Sequence, residues 1–327
     1  MKDSNISFHI SKLKRSPKIG RIYELYREQN KYTIKDSTHH RQMKAWLTHL
    51  YVLDNIRADR ITPLEFQAKI LEKLFNEGKY TSVVYLARLS IQVLDFAVVI
   101  GVIAINPLSK LFNLPLLKKS KRLLKENLKH KKTLDYLNLH KELKKLIYNF
   151  HKRANTLQNK LLEISLRSLL RPSEVVSLNI NDISIKDKWI VVYNTKTKDR
   201  FLLPLTSSFL LSLLDAFSLF GNQKGHIFGG KRNKSTHLSS QTLNKALKDK
   251  DMGIHAHGCR SIGANYFARQ AKHVAPFIAA ACLQHVSPVT SPVESAYRHD
   301  DYLYLRRKAM ERWNNYLDRI YKPLKEL

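Results

Sequence analysis

Along residues 17–109 the apolar positions fall at helical spacing, in four short blocks separated by turn signals. The first runs from Ile19 to Tyr26 and places Ile22, Tyr23, Leu25 and Tyr26 near one face. In the second, Ser37 can cap a helix that carries Met43, Trp46, Leu47, Leu50 and Leu53. The third opens on Thr62-Pro63-Leu64-Glu65. Here the threonine accepts from the backbone at N3, the proline is preset for the first helical position, and the glutamate reaches back to the cap. Ile70, Leu71, Leu74 and Phe75 form its buried stripe, and Asn76-Glu77-Gly78 ends it. A fourth helix starts near Thr81 or Ser82, passes Leu94 and Phe96 and stops before Asn106-Pro107. Four short helices predict a compact bundle.

The pattern then changes twice. From Lys110 to Lys132 there are nine Lys or Arg and one Glu, which predicts a linker. A flexible, solvated connector and a basic strap across a phosphate backbone are equally good readings of it. From residue 133 helix mixes with a little strand. Leu157, Leu161, Leu162, Ile164, Leu169 and Leu170 build an apolar helix that ends at Arg171-Pro172. The runs 189–193 and 201–205 are β-rich and flank the basic turn NTKTKDR, which predicts a hairpin. Further helices are expected over 208–219, 240–248, 257–269, 274–283 and 302–320. The expected fold is mainly α with a small β-hairpin or sheet, of the α+β class. It divides into a tail (1–16), a helical domain (17–109), a basic linker (110–132) and a second domain (133–327).

Charge narrows the function. Lys and Arg number 57 against 27 Asp and Glu, a formal net charge of +30, and this excess calls for a polyanionic partner. Nucleic acid fits better than a membrane surface, because the basic residues are spread over the chain and not gathered on one amphipathic helix. The first residues lack the apolar core of a secretory signal. The longest apolar run, Phe96 to Ile105, falls short of the roughly 20 residues of a membrane span. Cys259 and Cys282 belong to no zinc pattern, and His255 with His257 has no third or fourth ligand, so neither metal nor cofactor is expected. The chain reads as a cytoplasmic protein without a membrane partner.

Six positions of the second domain carry a pattern in a fixed order. They are Arg171 in LRPSEV, Lys196 in TKTK ahead of the LLPL run, His257 and Arg260 in HGCR, His285 in LQH, and Tyr297 in VESAY. The domain resembles the tyrosine recombinase, or phage integrase, family over essentially all of residues 150–327. Asp301-Tyr302-Leu303, Arg306-Arg307 and Trp313 through Leu317 most resemble integrases of the satellite-phage and genomic-island type. Upstream, the Thr62-Pro63 start, Ala97-Val98 and Ile105-Asn106-Pro107 are similar to the helical core-binding domain of the same integrases. Each motif alone is weak; the specificity lies in six residue types arriving in order behind a basic helical domain.

The resemblance implies an enzyme that cuts and rejoins duplex DNA through a 3′-phosphotyrosyl bond to Tyr297, for integration or excision of a mobile element. Attack on a phosphodiester builds charge on two non-bridging oxygens, which suits the planar, always-charged forks of Arg171 and Arg260. One well-aimed donor supplies about 3 kcal/mol. His257 would take the phenol proton, His285 would hydrogen-bond the phosphate, and Lys196 would protonate the departing 5′ oxygen. The bond energy is kept, so no ATP is implied.

Bland readings stand beside these. Arg171 could merely pair with Glu174 at a helix end; Lys198 competes with Lys196; Tyr302 and Tyr304, which look like packing residues of the last helix, compete with Tyr297. His257 and Arg260, three apart, are expected to share a helical face. The resemblance further implies double-stranded DNA as partner, a homotetramer on two DNA sites, and host DNA-bending or directionality factors. The tail after Trp313 is a candidate for protomer exchange. The larger members carry an N-terminal arm-binding domain, and with residues 1–16 ahead of the first helix that domain is expected to be missing. A type IB topoisomerase-like strand passage, a catalytically inactive DNA-binding relative and a basic RNA-binding protein are the rival functions.

Overall fold

The computed structural model describes residues 17–129, 138–151, 156–193, 200–230, 236–249, 253–270, 272–284 and 302–325. The chain divides into two compact units, Met1–Lys131 and Lys132–Leu327, each with its own hydrophobic core.

In the first unit, α1 (Ile19–Asn30) and α2 (Asp36–Ala45) lead to α3 (residues 63–76) and α4 (Tyr80–Val99). Lys35, not Ser37, is the N-cap of α2. After α2 the chain continues through a π turn, Trp46–Leu50. Its wider turn rotates the apolar face, so Trp46, Leu50 and Leu53 are buried while Leu47, expected on the same stripe, is 66% exposed. Trp46 stacks on Tyr23 with ring centroids 3.8 Å apart and donates its indole N–H to Asp54 at 2.8 Å.

Thr62 caps α3 by accepting from the Glu65 N–H at 3.2 Å with Pro63 at the first position; the Glu65 carboxylate lies 3.4 Å from Lys69. Glycines close α3 and α4 in one way. Gly78 and Gly101 adopt φ of 72° and 73°, and the residue after each donates back to Leu74 and Ala97 at 2.9 and 3.0 Å. This left-handed ending satisfies the last carbonyls of a helix. It stops α4 well before Asn106, whose amide instead ties the following loop to Ile91 and Asp95.

Two expectations change in this unit. The stretch expected as a linker is folded: α5 (Pro115–Lys129) buries Leu117 and Ser120 and turns its lysines outward. Leu117, Ser120 and Leu124 recur at helical spacing, and this seam was hidden in the sequence by the surrounding charge. The second concerns α4, which is long and apolar enough to cross a membrane by length and composition. Val83, Leu86, Leu89, Val93 and Ala97 form the side that packs into the core, so it is the central helix of the bundle.

The second unit contains α6 (Leu139–His151), α7 (Leu157–Ser168), α8 (Pro172–Ser177), a small sheet, α9 (Ser207–Phe220), α10 (Thr242–Asp249), α11 (Gly258–Arg269), α12 (Pro276–Cys282) and α13 (Leu303–Lys325). The hairpin strands β2 (Trp189–Tyr193) and β3 (Arg200–Pro204) pair antiparallel with Trp189 opposite Pro204. An additional short strand, β1 (Ile183–Ser184), extends the sheet in the order β1-β2-β3. α7 is the centre of this unit, with every residue from Asn159 to Ser168 buried.

α13 packs on its own unit and not, as far as Lys325, away from it. Trp313 and Leu317 are fully buried, and the Trp313 indole N–H donates to the Leu166 carbonyl at 2.7 Å. Arg306 donates to the Leu202 carbonyl at 2.8 Å and lies over the Phe201 ring. After Trp313, Leu317, Ile320 and Tyr321 join the same core.

Candidate active site

The site is built where α7 stops. Leu169 turns left-handed, with φ of 54°, and Arg171 returns to extended backbone as the N-cap of α8. Pro172 takes the first helical position and Glu174 the third. The Glu174 carboxylate is fully buried and accepts from the Arg171 backbone N–H at 2.9 Å and from Arg171 Nη1 at 2.8 Å. Arg171 therefore does pair with Glu174, but it is not enclosed by that pair: its side chain remains 26% exposed. Gln284 joins the two. Its Oε1 accepts from Arg171 Nη1 at 2.8 Å, and its Nε2 donates to Glu174 Oε2 at 3.2 Å.

Arg260, on the first turn of α11, reaches the same turn from the other side. It is nearly fully buried, donates from Nη1 to the Leu169 carbonyl at 2.7 Å, and donates from Nη2 to the Leu283 carbonyl. Burial, and then the like charge of Arg171, push its pKa down to about 10, against the opposing pull of Glu174. It stays charged near neutrality. The close approach of α11 to Leu169 requires Gly263, because a Cβ there would lie 2.4 Å from the Leu169 side chain.

His257 stands just outside α11 as its N-cap and is exposed. Its backbone angles are already helical, three residues before Arg260. The two meet through the backbone, where the Arg260 N–H donates to the His257 carbonyl at 3.2 Å. The His255 ring lies 6.3 Å from that of His257, and its Nδ1 accepts from the Gly258 N–H at 3.1 Å. His255 is thereby assigned the tautomer with its proton on Nε2.

Lys196, its competitor Lys198, His285 and Tyr297 lie outside the described residues. Of the competing tyrosines, Tyr302 packs against Phe277 with ring centroids 5.1 Å apart, whereas Tyr304 is 63% exposed with Lys308 over its ring. Among the described residues no group of three or more His, Cys, Asp or Glu could hold a metal ion.

Sequence reasoning missed three participants: Gln284 and the carbonyls of Leu169 and Leu283. A backbone carbonyl leaves no mark in a sequence. A glycine inside an otherwise ordinary helix, Gly263, was the one available sign of a close approach.

Comparison with known proteins gives one family and one fold. The phage integrase family matches residues 138–302. The structure of lambda integrase (75–356) as a dimer bound to a COC′ core site is similar, with a TM-score of 0.65 at 19% identity, covering 86% of this chain and 95% of that one. A lambda integrase tetramer bound to a Holliday junction gives 0.65 at 18%, covering 88% and 79%. The Tn1549 transposon integrase (aa 82–397), in complex with circular intermediate DNA, gives 0.60 at 13%, covering 86% and 98%. At these identities the likeness is one of fold. No curated protein matches the sequence.

Proposed function

The chain belongs to the phage integrase family, the tyrosine-type site-specific DNA recombinases, and we propose that it integrates and excises a mobile element through a phosphotyrosine on Tyr297. The observation that carries the reading is the pair Arg171 and Arg260, held from opposite sides of the Leu169 turn. Two guanidinium groups on one turn are what a phosphodiester gathering charge on two oxygens requires.

In this reading the Tyr297 phenol attacks the phosphorus, a Tyr–O–P bond forms, and the bond to the 5′ oxygen breaks. His257 takes the phenol proton, for which its exposed place at the mouth of α11 suits it, and Lys196 gives a proton to the leaving 5′ oxygen, which becomes a hydroxyl. Arg171, Arg260 and His285 hold the non-bridging oxygens. The reverse attack by a 5′ hydroxyl from another strand rejoins the DNA, releases the tyrosine and needs no energy source.

Double-stranded DNA is the substrate, and a tetramer on two DNA sites does the work, a reading supported by the dimer and tetramer recorded for lambda integrase on DNA. The first unit serves as the core-binding domain and the second as the catalytic domain, acting in the cytoplasm with host bending or directionality factors. In the first unit Arg41, Lys44, Thr48, Thr81 and Ser82, with Ala45, His49, Tyr85 and Leu86, line a cavity of about 360 Å³ free of carboxylates.

The test uses duplex from the gene's own flanks, nicked so that the covalent intermediate is trapped, incubated without metal or ATP. A denaturation-resistant protein–DNA band with the wild type, lost in Tyr297→Phe, is the expected result. A band that survives moves the nucleophile to Tyr302 or Tyr304. Tight binding without any band on flank-derived and randomised duplexes alike would establish the inactive relative instead.

A further inference from the structure

The two-residue turn Leu283–Gln284, at the end of α12, touches both arginines of the site. The Leu283 carbonyl accepts from Arg260, while the Gln284 side chain closes a ring with Arg171 and Glu174. Gln284 sits at φ of 51°, in the left-handed region that residues other than glycine and asparagine rarely adopt. Held there, its amide offers its oxygen to one partner and its nitrogen to the other. Without Gln284, Glu174 would grip Arg171 Nη1 with one oxygen only, and the guanidinium plane could swing about that contact.

We infer that Gln284 is a positioning residue for Arg171, fixing the guanidinium plane through a three-member ring with Glu174 so that the Nε–Nη2 edge is presented to the scissile phosphate. The inference rests on reading Arg171 as a phosphate-binding residue. The ring uses Nη1 alone, and a guanidinium has five N–H donors in a rigid fork. The two oxygens that hold Nη1 are each 2.8 Å away and come from different elements, α8 and the turn after α12. Holding one nitrogen from two directions fixes an orientation that a single contact leaves free.

The experiment compares wild type, Gln284→Ala and Gln284→Gly in full-length protein, measuring single-turnover cleavage of nicked duplex, duplex affinity and thermal melting. Both variants are expected to cleave about 10- to 100-fold more slowly, the loss of a hydrogen bond to a charged group. Affinity should stay within about twofold, as most of it comes from phosphate contacts elsewhere. Gln284→Gly suits the left-handed backbone, so it separates the side chain from the fold: it should melt no lower than Gln284→Ala and still cleave slowly. In an Arg171→Lys background, which cannot form the ring, the Gln284→Ala effect should shrink to less than about twofold.

Gln284→Gly cleaving at the wild-type rate would overturn the inference. An equally large Gln284→Ala effect in the Arg171→Lys background, or a loss of affinity matching the loss of rate, would overturn it as well. Arg171→Ala cleaving normally would sink the reading of the site itself. An inert Arg171→Ala beside a fully active Gln284→Ala would remove only this inference.

Discussion

Two arginine–carboxylate pairs flank the end of α7, and they are built in opposite ways. Arg167 lies inside the helix, is 2% exposed and is surrounded: Glu163 at 3.0 Å, Asp318 at 2.9 Å, Asn314 at 3.2 Å and Ser208 at 3.4 Å. Lys160 adds an ion pair to each of Glu163 and Asp215. Arg171, one turn further on, has its carboxylate partner wholly buried but keeps a quarter of its own side chain in contact with solvent. The first arginine ties α13 and α9 to α7. The second is held in part, by one nitrogen. A cation satisfied on all sides is architecture; one held by one nitrogen and otherwise presented outward can still meet a ligand.

Substitutions can break this comparison, starting with the largest effect. Arg167→Ala leaves Glu163 buried without its main partner and should destabilise the second unit by about 3–5 kcal/mol, read by urea denaturation. If the loss were under about 1 kcal/mol, as for a surface pair, the distinction between the two arginines would collapse. Arg171→Ala should slow single-turnover cleavage by about 10²–10³-fold and cost less stability than Arg167→Ala, because the buried Glu174 carboxylate keeps the residue-171 backbone N–H and the Gln284 amide as donors. Asn314→Ala removes an acceptor for Arg167 and a donor to the Met310 carbonyl. It should cost about 1–3 kcal/mol without changing the rate of cleavage by folded protein. Gly263→Ala drives a methyl against Leu169, whose carbonyl holds Arg260. A cost of about 1–3 kcal/mol for overpacking should come with slower cleavage.

The smallest effect is one of pH. Burial pushes the Glu163 carboxyl up, but Arg167, Lys160 and a hydrogen bond from Ser212 outweigh it and hold its pKa below the usual range. A carboxyl depressed in the folded state adds stability that is fully present above its unfolded pKa, about 4.3, and is lost as pH falls through the folded value. Denaturation midpoints should therefore fall with acid below about pH 4, and Glu163→Gln should flatten that slope. An unchanged slope would show that Glu163 is not held as charged as its partners imply.

The same contrast explains what was legible in the sequence. The stripes of α1, α3 and α4 and the hairpin strands came through because each keeps an exposed side, which leaves a plain period. α7 came through as a helix from its apolar positions, but nothing in the sequence marks Lys160, Glu163 and Arg167 as buried; the packing of α9 and α13, distant in sequence, encloses them. Leu47 was misread because a π turn shifts the helical phase without a sequence signal.

At the candidate site, the order of residue types pointed to Arg171, His257 and Arg260 before any coordinates. Of what holds the two arginines, Glu174 was legible three residues after Arg171, whereas the contacts of Gln284 and of the Leu169 and Leu283 carbonyls join parts of the chain far apart in sequence. Lys196, His285 and Tyr297 stay readings of the sequence.

The indole of Trp313 is bonded to Leu166, three residues before the carbonyl that holds Arg260. A ribosome makes α13 last among the described elements, after everything else around α7. Until then a nascent chain carries both arginines of the turn, yet Arg167 still lacks Asp318 and Asn314 and the outer face of α7 is wet. Since domains fold as units as they emerge, the packing around α7 is complete only once α13 has left the tunnel.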